Sequence, residues 1–255
     1  MSKLEISQQR EYTVVKSNEI VQQARYDLSL KEMKLFCFII SKIKPTDSTG
    51  EWYSFTFMDY CKVCGLTASG ENYKDIKQGL QNLRDKSFWL MNEDGSETTC
   101  GWLDKVIIDK RSKRIKVRLD EDISRYLIGL TEGFLQYQLI YCLPMRSSYS
   151  LRLYEQLKAQ AFKKRFEIGI DDLRKYLACP YSSFKDLRRR ALDIAIREIN
   201  LYTDLQVSWE PRKKGNTVIA VKFKVKVRDA LTQSVIQNNI TAEIDGQMSI
   251  YDFIK

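Results

Sequence analysis

The sequence predicts an α+β protein with two tandem winged-helix domains and a flexible C-terminal tail. One order of predicted elements (helix, strand, helix, helix, hairpin) occurs twice along the 255 residues. A local match supports a duplication, because residues 73–77 (YKDIK) resemble residues 184–188 (FKDLR). The composition agrees, since 44% hydrophobic residues are enough for packed cores in one large or two ordinary domains.

The first domain is assigned to residues 12–135. Ser29 is placed to cap a helix over residues 30–43, and Glu32 takes the capping-box position three residues later. Pro45 stops this helix. The other elements predicted for this domain are a strand at 52–57, helices at 58–66 and 72–86, strands at 87–92 and 102–109, a turn at 111–114 and a strand at 115–119.

The second domain is assigned to residues 136–228 and the tail to residues 229–255. Residues 121–146 are predicted to form linking helical segments. The elements predicted after them are a helix at 150–162, a strand at 166–170, a short helix at 171–178, a long helix from Ser183 to about residue 202, and a hairpin of strands at 205–210 and 217–227.

Positive charge is concentrated in the second domain. The chain holds 42 Lys and Arg against 33 Asp and Glu, which gives a net charge of +9. Residues 163–228 contain 17 basic and 8 acidic residues, so this stretch carries the whole excess. Such a concentration of charge favours binding to a polyanion such as double-stranded DNA. An acidic protein or a membrane surface could also be the partner.

The long helix of the second domain has the pattern of a recognition helix, which enters the DNA major groove. At about 100° per residue, Phe184, Leu187, Ala191 and Ile194 share a core-facing side. Cations near a helix N-terminus oppose the macrodipole, so their presence there favours DNA contact over an ordinary solvated face. The residues of this helix predicted to bind DNA are Ser183, Lys185, Arg188, Arg189 and Arg190.

The hairpin that follows is basic as well. Apolar side chains at Val221, Phe223, Val225 and Val227 alternate with lysines, which predicts one apolar and one cationic face. Strand lysines also protect exposed sheet edges, so this pattern is less specific than that of the helix. The hairpin residues predicted to bind DNA are Arg212, Lys213, Lys214, Lys222 and Lys224.

The first domain repeats this arrangement with less charge. We predict that its equivalent surface contacts DNA, mostly phosphate, or that the domain serves dimerisation instead. The residues at the equivalent helix positions and in the hairpin turn are Lys74, Lys77, Gln78, Lys113 and Arg114.

The sequence offers no recognisable catalytic or metal site. The absence of histidine excludes Ser-His-Asp and Cys-His nucleophilic sites, and no Walker-A loop is present. Cys61 and Cys64 have metal-ligand spacing, but they also fit an apolar helical pattern, which favours a role in the core over zinc or redox chemistry. We therefore expect a protein that is not an enzyme and uses no cofactor and no metal.

The sequence also lacks the apolar segments that direct a chain into or across a membrane. It contains no run of about 18 apolar residues, which a membrane span needs. Its first residues lack the apolar region of a signal peptide. We expect a cytoplasmic protein, associated with the bacterial nucleoid or a plasmid, without a membrane partner.

Residues 14–36 (VVKSNEIVQQARYDLSLKEMKLF) resemble the opening of iteron-binding plasmid replication initiators, the Rep proteins of theta-replicating plasmids. The shared features are a Lys-Ser-Asn-Glu element and a helix start of the form Leu-Ser/Thr-x-x-Glu-x-Lys/Arg-Leu. The resemblance extends more loosely over residues 12–228, and residues 183–190 match the family's recognition helix.

This resemblance implies a function. Members of the family bind tandem direct repeats (iterons) in double-stranded origin DNA, chiefly through the second winged helix. They promote opening of adjacent AT-rich DNA and recruit the host initiator and replicative helicase. Many exist as monomers and dimers, dimerise through the first winged helix and repress their own promoter.

Two other classes of function remain open from the sequence. One is a winged-helix transcriptional repressor without an origin role. The other is an enzyme or protein-interaction module in which the basic patch is incidental.

The C-terminal sequence QMSIYDFIK resembles the bacterial sliding-clamp-binding peptide, Gln-Leu-Ser/Asp-Leu-Phe. The departures are apolar or aromatic, so they should still fill an apolar groove. Residues 232–246 are expected to act as a flexible tether. The alternative is a short amphipathic end that packs on its own domain. The residues assigned to the clamp are Gln247, Met248, Ile250, Tyr251 and Phe253.

Overall fold

The computed structural model describes residues 2–91 and 95–246, and the chain divides into two compact units, Met1–Leu143 and Pro144–Lys255. The elements of the first unit are α1 (Lys3–Arg10), β1 (Thr13–Ser17), α2 (Asn18–Gln23), α3 (Leu30–Ile40), β2 (Trp52–Thr56), α4 (Phe57–Cys64), α5 (Gly70–Asp85), β3 (Ser87–Met91), β4 (Glu97–Gly101), β5 (Leu103–Ile108), β6 (Arg114–Leu119), α6 (Glu121–Ser124) and β7 (Phe134–Gln138).

Up to residue 246, the second unit contains three α-helices, a short 3-10 helix (Ala161–Lys163), a single strand, a helix with a π-turn and a hairpin. Its elements are α7 (Ser148–Ala159), β8 (Arg165–Gly169), α8 (Ile170–Leu177), α9 (Phe184–Leu187), a π-turn (Arg188–Leu192), α10 (Asp193–Tyr202), β9 (Leu205–Lys214), β10 (Thr217–Val227) and α11 (Ala230–Ile244). The backbone stays right-handed helical at Leu187 and Asp193, so α9, the π-turn and α10 are one continuous helix, which we call the 184–202 helix.

Both units have winged-helix topology. In each, a helix, a strand and two further helices precede a hairpin, as the sequence predicts. The strand order is β2-β6-β5 in the first unit and β8-β10-β9 in the second, so the last strand lies between the other two in both antiparallel sheets. The repeated order of elements therefore corresponds to a repeated sheet topology.

Local capping sets several helix starts. The Ser29 side chain accepts the Glu32 N–H, and the Glu32 carboxylate accepts the Ser29 N–H at 2.7 Å, which confirms the predicted capping box. Thr56 and Asp59 form a second box on α4, which ends at Gly65 in the left-handed conformation (φ 66°).

The segment 121–146 was expected to be a helical linker, and this prediction is wrong for most of its length. After the short α6, β7 pairs antiparallel with β1, with Val14 opposite Tyr137. The first unit therefore extends to Leu143, beyond the expected limit at residue 135. Leu135 and Tyr137 are buried while Gln136 is exposed, which is the alternation of a half-buried strand.

Three other elements differ from the sequence-based assignment. The expected strand at 102–109 is preceded by β4, which pairs with β3 in a separate hairpin, whereas β5 pairs with β6. The N-terminal tail forms α1, whose Arg10 is 2% exposed and donates to the carbonyls of Val63 (2.9 Å) and Lys62 (3.1 Å) near the end of α4. Strand β9 continues to Lys214, beyond the expected end at residue 210.

Most of the expected tether is helical. Residues 230–244 form α11, whose cap Asp229 accepts the Thr232 N–H at 2.9 Å, and Ile240 is fully buried. Across residues 2–91 and 95–246, no helix combines the length and the apolar character that crossing a membrane requires.

Candidate nucleic-acid interface

The 184–202 helix begins with a cap that uses the Ser183 hydroxyl. Its Oγ accepts the Asp186 N–H at 3.0 Å and donates to the Asp186 carboxylate at 2.8 Å. A serine hydroxyl has one proton to donate, and here it goes to Asp186. The structure therefore places this predicted DNA ligand in the cap of the helix.

The π-turn shifts the buried face of the helix. Its fully buried positions are Leu187, Ala191, Leu192, Ala195, Ile199 and Tyr202. Ile194 and Phe184, which were expected to face the core, are only half-buried. A π-turn closes i→i+5 hydrogen bonds, so it adds one residue to a turn and rotates all later side chains relative to a regular α-helix.

Arg188 is held from two directions. Its guanidinium carbon lies 5.5 Å from the centroid of the Trp209 ring on β9, within the range of a cation–π contact. Its Nε donates to the Asp193 carboxylate at 3.1 Å. The side chain remains 58% exposed, so its terminal N–H groups are accessible.

Arg189 and Arg190 share one carboxylate. Asp186 lies 3.7 Å from Arg189 Nη2 and 3.6 Å from Arg190 Nε, distances of ion pairs without direct hydrogen bonds. The Arg190 guanidinium carbon is also 5.7 Å from the Tyr181 ring centroid. Together with the exposed Lys185, the three predicted arginines form a basic surface on the first turns of the helix.

The hairpin extends beyond the sheet and carries cations to its end. Lys213 and Lys214 are exposed there, and Gly215 makes the turn with φ 60°. Arg212 differs from these lysines because its Nε donates to Glu167 on β8 at 2.6 Å. Arg212 is therefore partly neutralised within the sheet.

The outer face of the second sheet is unevenly charged. Val221, Phe223 and Val225 are buried and the lysines between them are exposed, which confirms the two expected faces over these residues. Val227, which was also expected on the apolar face, is 47% exposed because it lies at the end of β10. Lys222 lies opposite two acidic residues, Glu210 and Glu167. Its neighbour on the same face, Lys224, lies opposite Ser208 and Arg165 instead. Arg165 was not anticipated from the sequence.

The first unit has a comparable surface with fewer cations. Lys74, Lys77 and Gln78 are exposed on α5, and the Gln78 side chain donates to Asn82 at 2.8 Å. At the hairpin turn, Lys113 has φ 54° and places its Nζ 4.7 Å from the Tyr73 ring centroid. Arg114 donates to Ser54 at 3.4 Å.

An open cleft of about 700 Å³ lies between α5 and β5 of the first unit. Lys77 is one of its lining residues. The other cations that line it are Arg84, Lys105, Lys110 and Arg118. Asp104 lines it too and forms an ion pair with Arg118, so the lining carries an excess of positive charge rather than one sign alone. Such an excess attracts an anion such as a phosphate group.

The cysteines of the CxxC sequence belong to the core side of α4. Cys61 is 1% exposed, and burial raises the pKa of the Cys64 thiol to about 12. A thiol with that pKa is protonated at neutral pH, which disfavours metal binding. In the described part of the chain, no group of three or more His, Cys, Asp or Glu residues is arranged to hold a metal ion.

Two family models match the chain. "Initiator Replication protein, WH1" matches residues 13–158, and "Initiator Rep protein, WH2" matches residues 169–225. The chain belongs to the initiator replication protein family. The WH1 match runs past Leu143 into α7, and the WH2 match lies within the second unit.

Individual relatives of this initiator agree with the family. A replication initiation protein of Escherichia coli is 25% identical over 246 residues, which cover 90% of this chain and 74% of that protein. An uncharacterised 27.6 kDa protein of Escherichia coli is 24% identical over 226 residues, covering 82% of this chain and 93% of that protein.

A solved structure supports the fold of the initiator. The crystal structure of Pi initiator protein in complex with iteron DNA superposes with a TM-score of 0.70 at 20% identity, covering 87% of this chain and 99% of that one. At this identity the likeness concerns the fold alone.

Three side chains around the arginines were missed from the sequence. Trp209 follows Leu205 and Val207 at every second position of β9, so strand periodicity places it on the buried face at the edge of the core. Asp193 and Tyr181 carry no comparable signal. The C-terminal residues assigned to clamp binding, 247–253, lie outside the described residues.

Proposed function

We propose that this initiator starts replication of a plasmid by binding tandem direct repeats in double-stranded origin DNA. The observation that carries the proposal is the exposed cluster of Arg188, Arg189 and Arg190 on the 184–202 helix, in the same unit as a hairpin that ends in exposed lysines. Arginine pairs bidentately with guanine O6 and N7 in the major groove, and lysines of a wing contact phosphates. The Pi initiator protein, with a similar fold, was solved with iteron DNA, which supports the same class of ligand.

In this proposal the second unit is the main reader of sequence. It holds the whole excess of positive charge, and its helix presents arginines where the first unit has Lys74, Lys77 and Gln78. Lysine acts as a point charge, so the first unit is suited to phosphate contacts. Alternatively, the first unit serves dimerisation in a monomer–dimer equilibrium.

Further steps of the proposal rest on the resemblance to plasmid initiators. After binding, the chain promotes opening of adjacent AT-rich DNA and recruits the host initiator and replicative helicase. It also represses its own gene. A separate resemblance, that of residues 247–255 to the sliding-clamp-binding peptide, supports binding of this segment to the host sliding clamp. None of these steps assigns a catalytic residue to the chain, since each of them is a binding event.

The experiment measures binding of the full chain to the direct repeats upstream of its own gene, with a scrambled duplex of equal composition as the control. We expect preference for the repeats and a linear fall of log K with log salt, with a slope of about −0.9 per phosphate contact. Equal affinity for both duplexes would contradict the proposal.

A replication assay separates an initiator from a repressor. A plasmid that carries the repeats and an adjacent AT-rich tract should replicate when the wild-type chain is supplied. It should not replicate with an Arg188→Ala/Arg189→Ala variant. Repression of the promoter without replication would instead identify a transcriptional repressor of the same fold.

A further inference from the structure

The π-turn brings together two side chains that a regular helix would separate. In an α-helix, residues five apart are rotated by about 500°, so their side chains point roughly 140° apart. In a π-turn, residue i+5 is hydrogen-bonded to residue i and lies one turn above it. The Arg188–Asp193 contact at 3.1 Å is therefore a product of the π-turn at Arg188–Leu192.

Trp209 supports the same arginine from the opposite element. Its ring meets Phe184 at a centroid distance of 6.2 Å in an edge-to-face arrangement, and on the sheet it lies opposite Phe223, which is 1% exposed. These contacts fix the ring against both the helix and the hairpin. The Arg188 guanidinium therefore packs on a ring that contacts both the helix and the hairpin.

We propose that Trp209 and Asp193 are positioning residues, and that they make Arg188 the principal base-reading side chain of this helix. The proposal rests on the proposed function above. Trp209 occupies the guanidinium face and Asp193 occupies Nε, which leaves the terminal N–H groups of Arg188 to donate together to guanine O6 and N7.

Its neighbours are held less tightly. Arg189 and Arg190 share the carboxylate of Asp186 at 3.7 and 3.6 Å, beyond hydrogen-bond distance. Arg190 also packs on the Tyr181 ring at 5.7 Å, so the difference from Arg188 is the directed hydrogen bond to Asp193. A guanidinium without such a bond keeps more rotational freedom, so it suits a phosphate better than a base edge. Base selection is therefore assigned to Arg188, and the other two arginines are assigned to the DNA backbone.

The test measures binding of the full chain to one repeat and to a panel of duplexes, each with one base pair changed. Arg188→Ala should lose about 5- to 150-fold of discrimination at one base-pair position, the range of a single bidentate contact. Asp193→Asn and Trp209→Leu should lose discrimination at that same position and keep it at the others. Trp209→Phe retains an aromatic face and should restore most of it.

A double-mutant cycle distinguishes positioning from general structural support. Adding Asp193→Asn or Trp209→Leu to Arg188→Ala should produce no further loss, because the positioned group is already gone. Glu210→Gln, on the same strand as Trp209, is the matched control and should leave the profile of the repeat unchanged. Melting curves show whether each variant folds. If Trp209→Leu unfolds, Asp193→Asn still provides the test, because the Asp193 side chain is 44% exposed.

The outcomes separate this inference from the proposed function. If the wild-type chain discriminates among duplexes but Asp193→Asn acts at other positions, or adds its full effect to Arg188→Ala, the positioning role is wrong and the proposed function stands. If the wild-type chain shows no discrimination, both are overturned.

Discussion

Lys113 Nζ lies 4.7 Å from the ring centroid of Tyr73, so the hairpin turn of the first unit is joined to its long helix by a cation–π contact. The second unit has a corresponding cation–π contact, but the helix and the hairpin exchange the cation and the ring. There the cation, Arg188, comes from the helix and the ring, Trp209, comes from the hairpin. In the first unit the contact engages a hairpin lysine, whereas in the second it orients a helix arginine. The two units therefore differ at the link between helix and hairpin.

The lysine at the hairpin end should act on every DNA sequence alike. Lys213→Ala removes one exposed charge that is placed to meet phosphate, so affinity for the direct repeats and for a scrambled duplex should fall by a similar factor. The slope of log K against log salt should become shallower by about 0.9. Lys44→Ala, an exposed loop lysine of the first unit, is the control. A loss confined to the direct repeats would assign Lys213 to base reading instead.

Glu32 should be a major contributor to the stability of the first unit. Its carboxylate is 3% exposed, and it accepts from Lys86 at 2.8 Å, Asn82 at 2.5 Å and the Ser29 N–H at 2.7 Å. Glu32→Ala leaves these donors without their acceptor, so we expect the free energy of unfolding to fall by about 2–3 kcal/mol in urea titrations. Lys31→Ala breaks an exposed pair with Asp75 and should cost less than about 1 kcal/mol.

The same carboxylate predicts a pH dependence. Burial alone would raise the pKa of Glu32, but the hydrogen bonds from Lys86, Ser29 and Asn82 outweigh it and hold the pKa below 4.5. A carboxyl whose pKa is lower in the folded state stabilises the fold above its unfolded pKa and loses this effect as the pH falls through the folded pKa. The stability difference between wild type and Glu32→Ala should therefore be complete at neutral pH and shrink below about pH 4.5.

Glu198 joins the 184–202 helix to the start of α7. It is 4% exposed, and its carboxylate accepts the N–H groups of Arg146 at 3.2 Å and Ser147 at 3.3 Å. These amides precede a helix, where no intrahelical acceptor exists. Glu198→Ala should lower the free energy of unfolding by about 2 kcal/mol, measured by chemical denaturation. Glu210→Ala removes an exposed carboxylate and should change the free energy of unfolding little. If both variants lost the same stability, Glu198 would contribute through its charge alone and not through its buried hydrogen bonds.

Features that depend on residues close together in the chain could be predicted from the sequence. The capping box of Ser29 and Glu32 and the limits of the 184–202 helix depend on nearby side chains and were predicted correctly. The β1–β7 pair was not predictable, because its two five-residue strands come from opposite ends of the first unit. Local patterns give no information about such remote pairing.

The π-turn could not be predicted from the sequence, for a different reason. The apolar residues from Leu187 to Ile199 fit an ordinary amphipathic helix, and the extra residue appears only when the packing of Leu192 and Ala195 is known. The basic residues were therefore identified from the sequence, but the contact between Arg188 and Asp193 was not. The chemistry of the candidate surface follows from composition, whereas its geometry depends on tertiary packing.

Removal of residues 247–255 should separate partner binding from DNA binding. The QMSIYDFIK sequence offers a glutamine followed by apolar and aromatic residues, a pattern suited to an apolar groove on the clamp. The truncated chain should fail to retain purified sliding clamp in a pull-down and should bind the direct repeats with unchanged affinity. A full-length variant with Gln247→Ala and Phe253→Ala should behave like the truncation, and one with Lys255→Ala should retain the clamp. A lower melting temperature after truncation, with clamp binding intact, would instead show that this segment packs on its own domain.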